Sequence, residues 1–265
     1  MLKKSVSIFL VVMLLLTMGL SASAVGDSQD KTEPYDPNPS VRPCTIFGDD
    51  ESWKAISADG RGYKADAKLY IYFPDSSTPR EGTGFLYGDH AMGTAAHCLY
   101  DGRYGGKAKS IKVVLPHKTV VVDSSKLRYP SQWSAGSSST VAGDWRYDYG
   151  TITLPAGTAS EGYFGLYTNG AKVGDTCLVS GYRAGEYKAR ISRDKIRNVR
   201  EYDLQFRHDI LSGQSGAPIY DDDYYVVGLF NYNAGFAEYL EDIDKGENSG
   251  AKMTPAVFNF FKAIL

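Results

Sequence analysis

Residues 83–98 read Thr-Gly-Phe-Leu-Tyr-Gly-Asp-His-Ala-Met-Gly-Thr-Ala-Ala-His-Cys. Thr83–Tyr87 is a short β-branched and aromatic run, the composition that suits a pleated, half-buried surface. A turn signal follows, and then a second short apolar strand that delivers an imidazole, His97, at its end. Working outward, Leu69–Phe73 precedes this pair, and Ile111–Leu115, Thr119–Val122, Tyr149–Leu154, Thr176–Tyr182, Tyr202–Phe206 and Tyr224–Phe230 follow it. Gly, Asp, Asn and Ser separate the runs. Strands at this spacing, with no helical pattern between them, predict an all-β sandwich or barrel. One helix is expected at the C-terminus: Thr254 suits the N-cap, Pro255 the first helical position, and Val257, Phe261 and Ile264 share a face.

The N-terminus has another character. Lys3 and Lys4 precede an apolar run from Ile8 to Leu16, and Ala22-Ser23-Ala24 supplies a small-x-small ending. This is the layout of a secretory signal over residues 1–24, and the run is short for a bilayer span. Residues 25–44 are polar and rich in Pro, Asp and Ser, which predicts a disordered pro-segment or linker. The expected product is extracellular and free of the membrane once the signal is removed. A net charge of −2 lacks the basic footprint of a nucleic-acid binder. The three cysteines, Cys44, Cys98 and Cys177, are an odd count that dictates no pairing. Cys98 and Cys177 read as small buried thiols.

Three segments carry the chemistry. In Gly213-Gln214-Ser215-Gly216-Ala217-Pro218, glycines flank a serine. They let the backbone bend until the N–H groups of Gly213 and Ser215 converge into an oxyanion hole. A serine hydroxyl also needs a base, and His97 is placed to be one. In Tyr147-Asp148-Tyr149-Gly150-Thr151-Ile152 an aspartate enters an apolar strand, which is costly unless something pairs with it. Accepting a hydrogen bond from a histidine ring satisfies Asp148 and fixes that ring's tautomer. The chain order His97, Asp148, Ser215 is the order of chymotrypsin, unlike that of subtilisin or the α/β-hydrolases.

These segments, TAAHC, YDYGTITL and GQSGAP, resemble the catalytic blocks of the trypsin-like serine proteases, specifically the bacterial glutamyl endopeptidase branch. HCLYD, the stretch from Gln132-Trp133 to Leu154, Gly162–Tyr167, Val179–Tyr182 and Thr45–Asp50 are similar to that branch too. The resemblance spans about residues 45–265, the expected protease domain. It implies two perpendicular six-stranded antiparallel β-barrels with the triad in the cleft between them, closed here by the C-terminal helix. It further implies a monomeric endopeptidase acting on proteins or peptides without a cofactor or metal, and made as a zymogen cut near Cys44-Thr45. Asn231, Tyr232 and Asn233 are expected to pair with the substrate backbone as an added strand.

The specificity pocket departs from the branch. Phe230 stands where the glutamate-cleaving relatives place a histidine, and Ile210 where they commonly have a threonine. A carboxylate desolvated there without partners would be disfavoured. His208 and Asp209 are the polar groups near enough in sequence to line the pocket instead, although both also suit a solvated loop. An apolar or broad pocket is the favoured reading. Gly82 occupies the place of the cysteine that relatives often bridge to the one after the catalytic histidine, so no structural disulfide is expected. Two alternatives remain open: a secreted, catalytically inactive homologue that binds peptides or proteins, and a cell-surface adhesive β-protein, for which no repeat is visible.

Overall fold

The β-branched and aromatic runs become strands because each pairs with a neighbour and buries one face. The computed structural model describes residues 30–32, 54–55, 64–140, 142–208, 210–232 and 247–265. Asp209, Asn233, Cys44, Thr45 and the expected signal segment lie outside the described residues. The first sheet contains β1 (Asp66–Tyr72), β2 (Arg80–Gly88), β3 (Ala91–Thr94), β4 (Ser110–Val114), β5 (Thr119–Asp123), β6 (Leu127–Arg128) and β7 (Gly150–Thr153). Its spatial order is β6-β7-β3-β2-β1-β4-β5, antiparallel throughout.

The second sheet is built on β8 (Gly165–Tyr167), β9 (Thr176–Gly181), β10 (Arg190–Lys195), β11 (Asp203–Phe206), β12 (Pro218–Tyr220), β13 (Tyr225–Tyr232) and β14 (Asn248–Lys252). Six of these run in the order β11-β14-β13-β12-β9-β10, while β8 adds to β13 in parallel. Two-residue strands at Lys54–Ala55 and Asn198–Val199 extend the edges. The architecture is all-β, with two curled antiparallel sheets and few helices.

Lys31–Thr32 pairs with β8, Lys31 opposite Tyr167 and Thr32 opposite Leu166. This corrects the expectation of disorder at that point of the 25–44 segment. The reason is local pairing: the Asp30 N–H donates to Thr168 Oγ1 at 2.9 Å, the Leu166 N–H donates to Thr32 Oγ1 at 2.9 Å, and the Lys31 ammonium sits 4.1 Å from the Tyr167 ring centroid.

The helices are short: α1 (Ser131–Ala135) and α2 (Pro255–Lys262). Thr254 caps α2 as expected, its hydroxyl accepting from the Val257 N–H at 3.2 Å. The apolar face of α2 enters the core of the first sheet. Phe261 stacks on Phe85 at 6.2 Å, and the Tyr87 hydroxyl donates to the Phe261 carbonyl at 2.9 Å. A large apolar cluster containing Leu69, Phe85, Ile152, Phe164, Leu229 and Phe261 draws on both sheets, and a smaller one packs inside the second. Asp221, in the turn between β12 and β13, accepts from the N–H groups of Asp223 and Tyr225, and Asp222 pairs with Arg193. No helix among the described residues is long and apolar enough to cross a membrane.

Candidate active site

Strand register brings His97 and Asp148 together. Thr94 at the end of β3 pairs with Gly150 at the start of β7 in an antiparallel ladder. Continuing three residues past Thr94 therefore leads to the neighbourhood of the residues just before Gly150. A 3-10 turn, Ala96–Cys98, then directs the imidazole back at the carboxylate. His97 Nδ1 lies 2.7 Å from Asp148 Oδ2, and the His97 backbone N–H donates to Oδ1 at 2.9 Å. One carboxylate thereby fixes both the position and the orientation of the ring.

Asp148 is fully buried while His97 keeps an 18% exposed side chain toward the cleft. Burial pushes the Asp148 carboxyl up, but the adjacent imidazole and the hydrogen bonds from His97 and the Tyr232 hydroxyl outweigh it and hold the pKa below the ordinary range. Burial pulls His97 down, but the charges of Asp148 and Cys98 and the hydrogen bonds to them together outweigh it, leaving its pKa well above the ordinary value. Asn231 braces the aspartate from behind: its Nδ2 donates to the Asp148 carbonyl, while its Oδ1 accepts from the Ala251 N–H at 3.1 Å.

Ser215 arrives from the other sheet on a tight turn. Gln214 closes it, its N–H donating to the Leu211 carbonyl at 3.3 Å and its side chain accepting from the Leu211 N–H at 2.7 Å. Gly213 and Gly216 have φ of +96° and +86°. A Cβ at 213 would meet Ala184 N at 2.4 Å, and one at 216 would meet Thr94 Oγ1 at 2.2 Å, so these positions need glycine on two grounds. Among the described residues the N–H groups of Gly213 and Ser215 donate to no other group. The Ser215 hydroxyl likewise makes no hydrogen bond to the His97 ring there.

Thr83 ties the two sheets together at this turn. Its N–H donates to the Ser215 carbonyl at 2.9 Å and its hydroxyl donates to the Gly213 carbonyl at 2.9 Å. The same oxygen accepts from the Tyr182 N–H at 3.0 Å, and the Thr83 carbonyl accepts from Thr94 Oγ1 at 2.8 Å. In the sequence Thr83 is only one more β-branched residue of a strand. No motif singles it out.

His97 and Ser215 open onto one cleft of about 270 Å³. Phe230, Asn231 and Tyr232 line it, with Leu211 and Ser212. His208 does not line it and is not a solvated loop residue either. It is buried in the second sheet, Nδ1 2.6 Å from Ser192 Oγ and Nε2 3.5 Å from Cys177 Sγ, with its ring against Phe206. Desolvation drives its pKa down to about 4, so it stays neutral near neutral pH and offers no charge to an acidic side chain. Ile210 is buried in the same apolar cluster, as is the far side of Phe230. Arg80, at the start of β2, and Arg103 and Tyr104, in the 3-10 turn Gly102–Tyr104, also line the cleft, and no sequence motif marked them.

Cys98 and Cys177 are buried free thiols. No group of three or more His, Cys, Asp or Glu among the described residues is arranged to hold a metal ion.

The chain is 30% identical over 213 residues to the glutamyl endopeptidase of Bacillus licheniformis, an alignment covering 74% of this chain and 61% of that protein. It therefore spans less than two thirds of that relative's length. It is 28% identical over 232 residues to a protein of Bacillus subtilis named extracellular metalloprotease, covering 83% of this chain and 69% of the relative. Among solved structures, a Glu endopeptidase in complex with MPD matches with a TM-score of 0.66 at 19% identity, covering 83% of this chain and 98% of that one, a likeness of fold. The trypsin-like peptidase domain matches residues 82–229, more than half of the chain and enclosing His97, Asp148 and Ser215. The protein belongs to the trypsin-like peptidase family.

Proposed function

We propose that the protein is a secreted serine endopeptidase, made with a signal over residues 1–24 and a pro-segment over 25–44, that hydrolyses peptide bonds through an acyl-enzyme. The observation that carries this reading is the two-point grip of Asp148 on His97, on the wall of the cleft that Ser215 also lines. With Nδ1 engaged by Asp148, Nε2 is the ring nitrogen left to take the Ser215 proton as the oxygen attacks the substrate carbonyl. Asp148 then stabilises the imidazolium. The N–H groups of Gly213 and Ser215 receive the oxyanion, each worth about 3 kcal/mol to the transition state. His97 returns the proton to the leaving amine, and water repeats the sequence to free the enzyme.

The primary pocket takes large apolar side chains rather than glutamate. Phe230 and Leu211 line the cleft beside Ser215, and His208 is neutral and buried elsewhere. The name of the glutamyl endopeptidase relative therefore describes that relative.

Digestion of a peptide library by the secreted protein, beside Ser215→Ala, tests this. Cuts after Phe, Tyr or Leu that vanish in the variant support it, whereas cuts after Glu would refute the pocket reading. The second reading, an inactive peptide-binding homologue, draws on the absence of a Ser215–His97 hydrogen bond among the described residues. Such bonds often tighten only when substrate binds. Labelling of Ser215 by an active-site phosphonate would exclude the inactive reading, and a folded protein that neither cuts nor labels would establish it.

A further inference from the structure

Among the described residues, the charged side chains that line the cleft beside His97 are Arg80 and Arg103. Arg80, at the start of β2, lays its guanidinium 4.8 Å from the Tyr104 ring centroid, and Arg103 lies 5.8 Å from the same ring. The three side chains line the cleft with His97 and Ser215. Among the described residues, the acids nearby lie against other groups. Asp101 holds Arg103 through both oxygens, with 2.6 Å between Nη2 and Oδ2. Glu81 pairs with buried Lys68 at 3.1 Å and accepts from the Gly185 N–H at 2.8 Å. Asp75 Oδ2 points at Gly105, 2.6 Å from where a Cβ there would stand. Among the described residues no carboxylate lies within ion-pairing distance of Arg80. A guanidinium stacked on a ring is held in place without being neutralised, ready for a planar anion.

The side of the scissile bond follows from the two sheets. Substrate residues before the bond run along the β13 edge beside Asn231 and Tyr232, where an added strand can pair. The chain must then cross Ser215 and leave toward the first sheet, where β2 is fastened to the nucleophile by the Thr83–Ser215 hydrogen bond. Arg80 lies three residues upstream of Thr83 on that strand.

From this geometry we propose that Arg80, stacked on Tyr104, forms a subsite for an acidic side chain in the first two substrate residues after the scissile bond. The protein would then prefer sites with an apolar residue before the cut and Asp or Glu just after it. This rests on the endopeptidase reading and extends it to the leaving-group side.

The test compares kcat/KM on matched peptides that carry Glu, Ala or Lys at each of the two positions after the bond. The unmodified protein should favour Glu over Ala by about 2- to 5-fold, the range of an exposed ion pair, and 1 M salt should erase the gain. Arg80→Glu should invert the preference to Lys over Glu, and Arg80→Gln should bring the Glu-to-Ala ratio to about 1. Phosphonate labelling of each variant checks that the cleft is intact. A charge preference unchanged in Arg80→Glu, or a Glu preference confined to the residue before the bond, would overturn the subsite. Absence of both cleavage and labelling in the unmodified protein would instead defeat the endopeptidase reading and take the subsite with it.

Discussion

Asp148 reaches His97 twice, through Oδ2 to the ring at 2.7 Å and through Oδ1 to the backbone N–H at 2.9 Å. The carboxylate sets the charge of the ring as well as its angle. Asp148→Asn keeps the shape but presents an amide that favours the wrong tautomer. An activity loss of about 10⁴-fold in kcat is expected. Peptide hydrolysis by a variant with unchanged circular dichroism measures it.

The same pair sets the acid limb of the rate profile. Under the proposed mechanism His97 must be neutral to act as a base, and Asp148, together with Cys98, holds its pKa well above the ordinary value of about 6.5. On kcat/KM against pH, activity should therefore climb through a midpoint above 6.5 and fall tenfold per unit on the acid side. In Asp148→Asn the residual activity should rise at lower pH, because the charge that raised the pKa is gone. An unmoved midpoint would mean that another group titrates.

Thr83 is a positioning residue, since it touches the carbonyls of Gly213 and Ser215 and no reacting atom. Thr83→Val removes the hydroxyl that anchors Gly213, leaving a buried carbonyl and the Tyr182 N–H without their partner, a loss of about 1–3 kcal/mol. A fall in kcat of at least 10-fold with little change in KM is expected, because the turn proposed to receive the oxyanion loosens while the cleft persists. Thr83→Ser should restore most of it. A change in thermal stability without a change in kcat would reduce Thr83 to a packing role.

Asp66 is buried between the sheets, both oxygens without a hydrogen-bond partner among the described residues, beside the equally unpartnered hydroxyls of Ser180 and Tyr220. Burial raises its pKa well above the ordinary value, and the proximity of Ser180 opposes this only weakly. The unfolded chain ionises near pH 3.9, so the folded state is increasingly penalised as pH rises from there to the folded pKa. Asp66→Asn should raise Tm at pH 7 by a few degrees, at about 2–4 °C per kcal/mol, and leave it unchanged near pH 3. A drop in Tm at pH 7 would mean that the carboxyl contributes a bond which the amide cannot replace.

Gly82 offers a disulfide that the chain lacks. A Cβ built there would sit 2.9 Å from Cys98 Sγ, close to the roughly 3 Å that separates a Cβ from the distal sulfur of a disulfide. Gly82→Cys should oxidise onto Cys98, shown by a peptide pair joined until reduction. The stabilisation should not exceed about 3 kcal/mol for a loop of this length. A fully reduced thiol pair after oxidation would show that Ile71, 3.3 Å from the same Cβ, blocks the rotamer.

The sequence by itself determined the all-β class and the capped C-terminal helix, and it singled out His97, Asp148, Ser215 and the glycines around the serine as the candidate site. Each rests on local chemistry: strand-forming runs between turns, a threonine before Pro255, and backbone bends that only glycine allows. Only the tertiary structure decided which residues meet. Arg190–Lys195 and Asn248–Lys252 carry little strand signal, yet both are strands because neighbours on either side supply the ladder. Thr83 meets Gly213 across 130 positions of chain. His208, legible as a pocket residue by its nearness to Ser215, turns into the core because Ser192 and Cys177 meet both nitrogens of its ring there. Arg80 reaches the cleft because the first sheet presents the beginning of β2 to it. Local propensity fixes what a segment can become. Which side chains share a cleft depends on the register and packing of strands far apart in the chain, and no single segment carries that information.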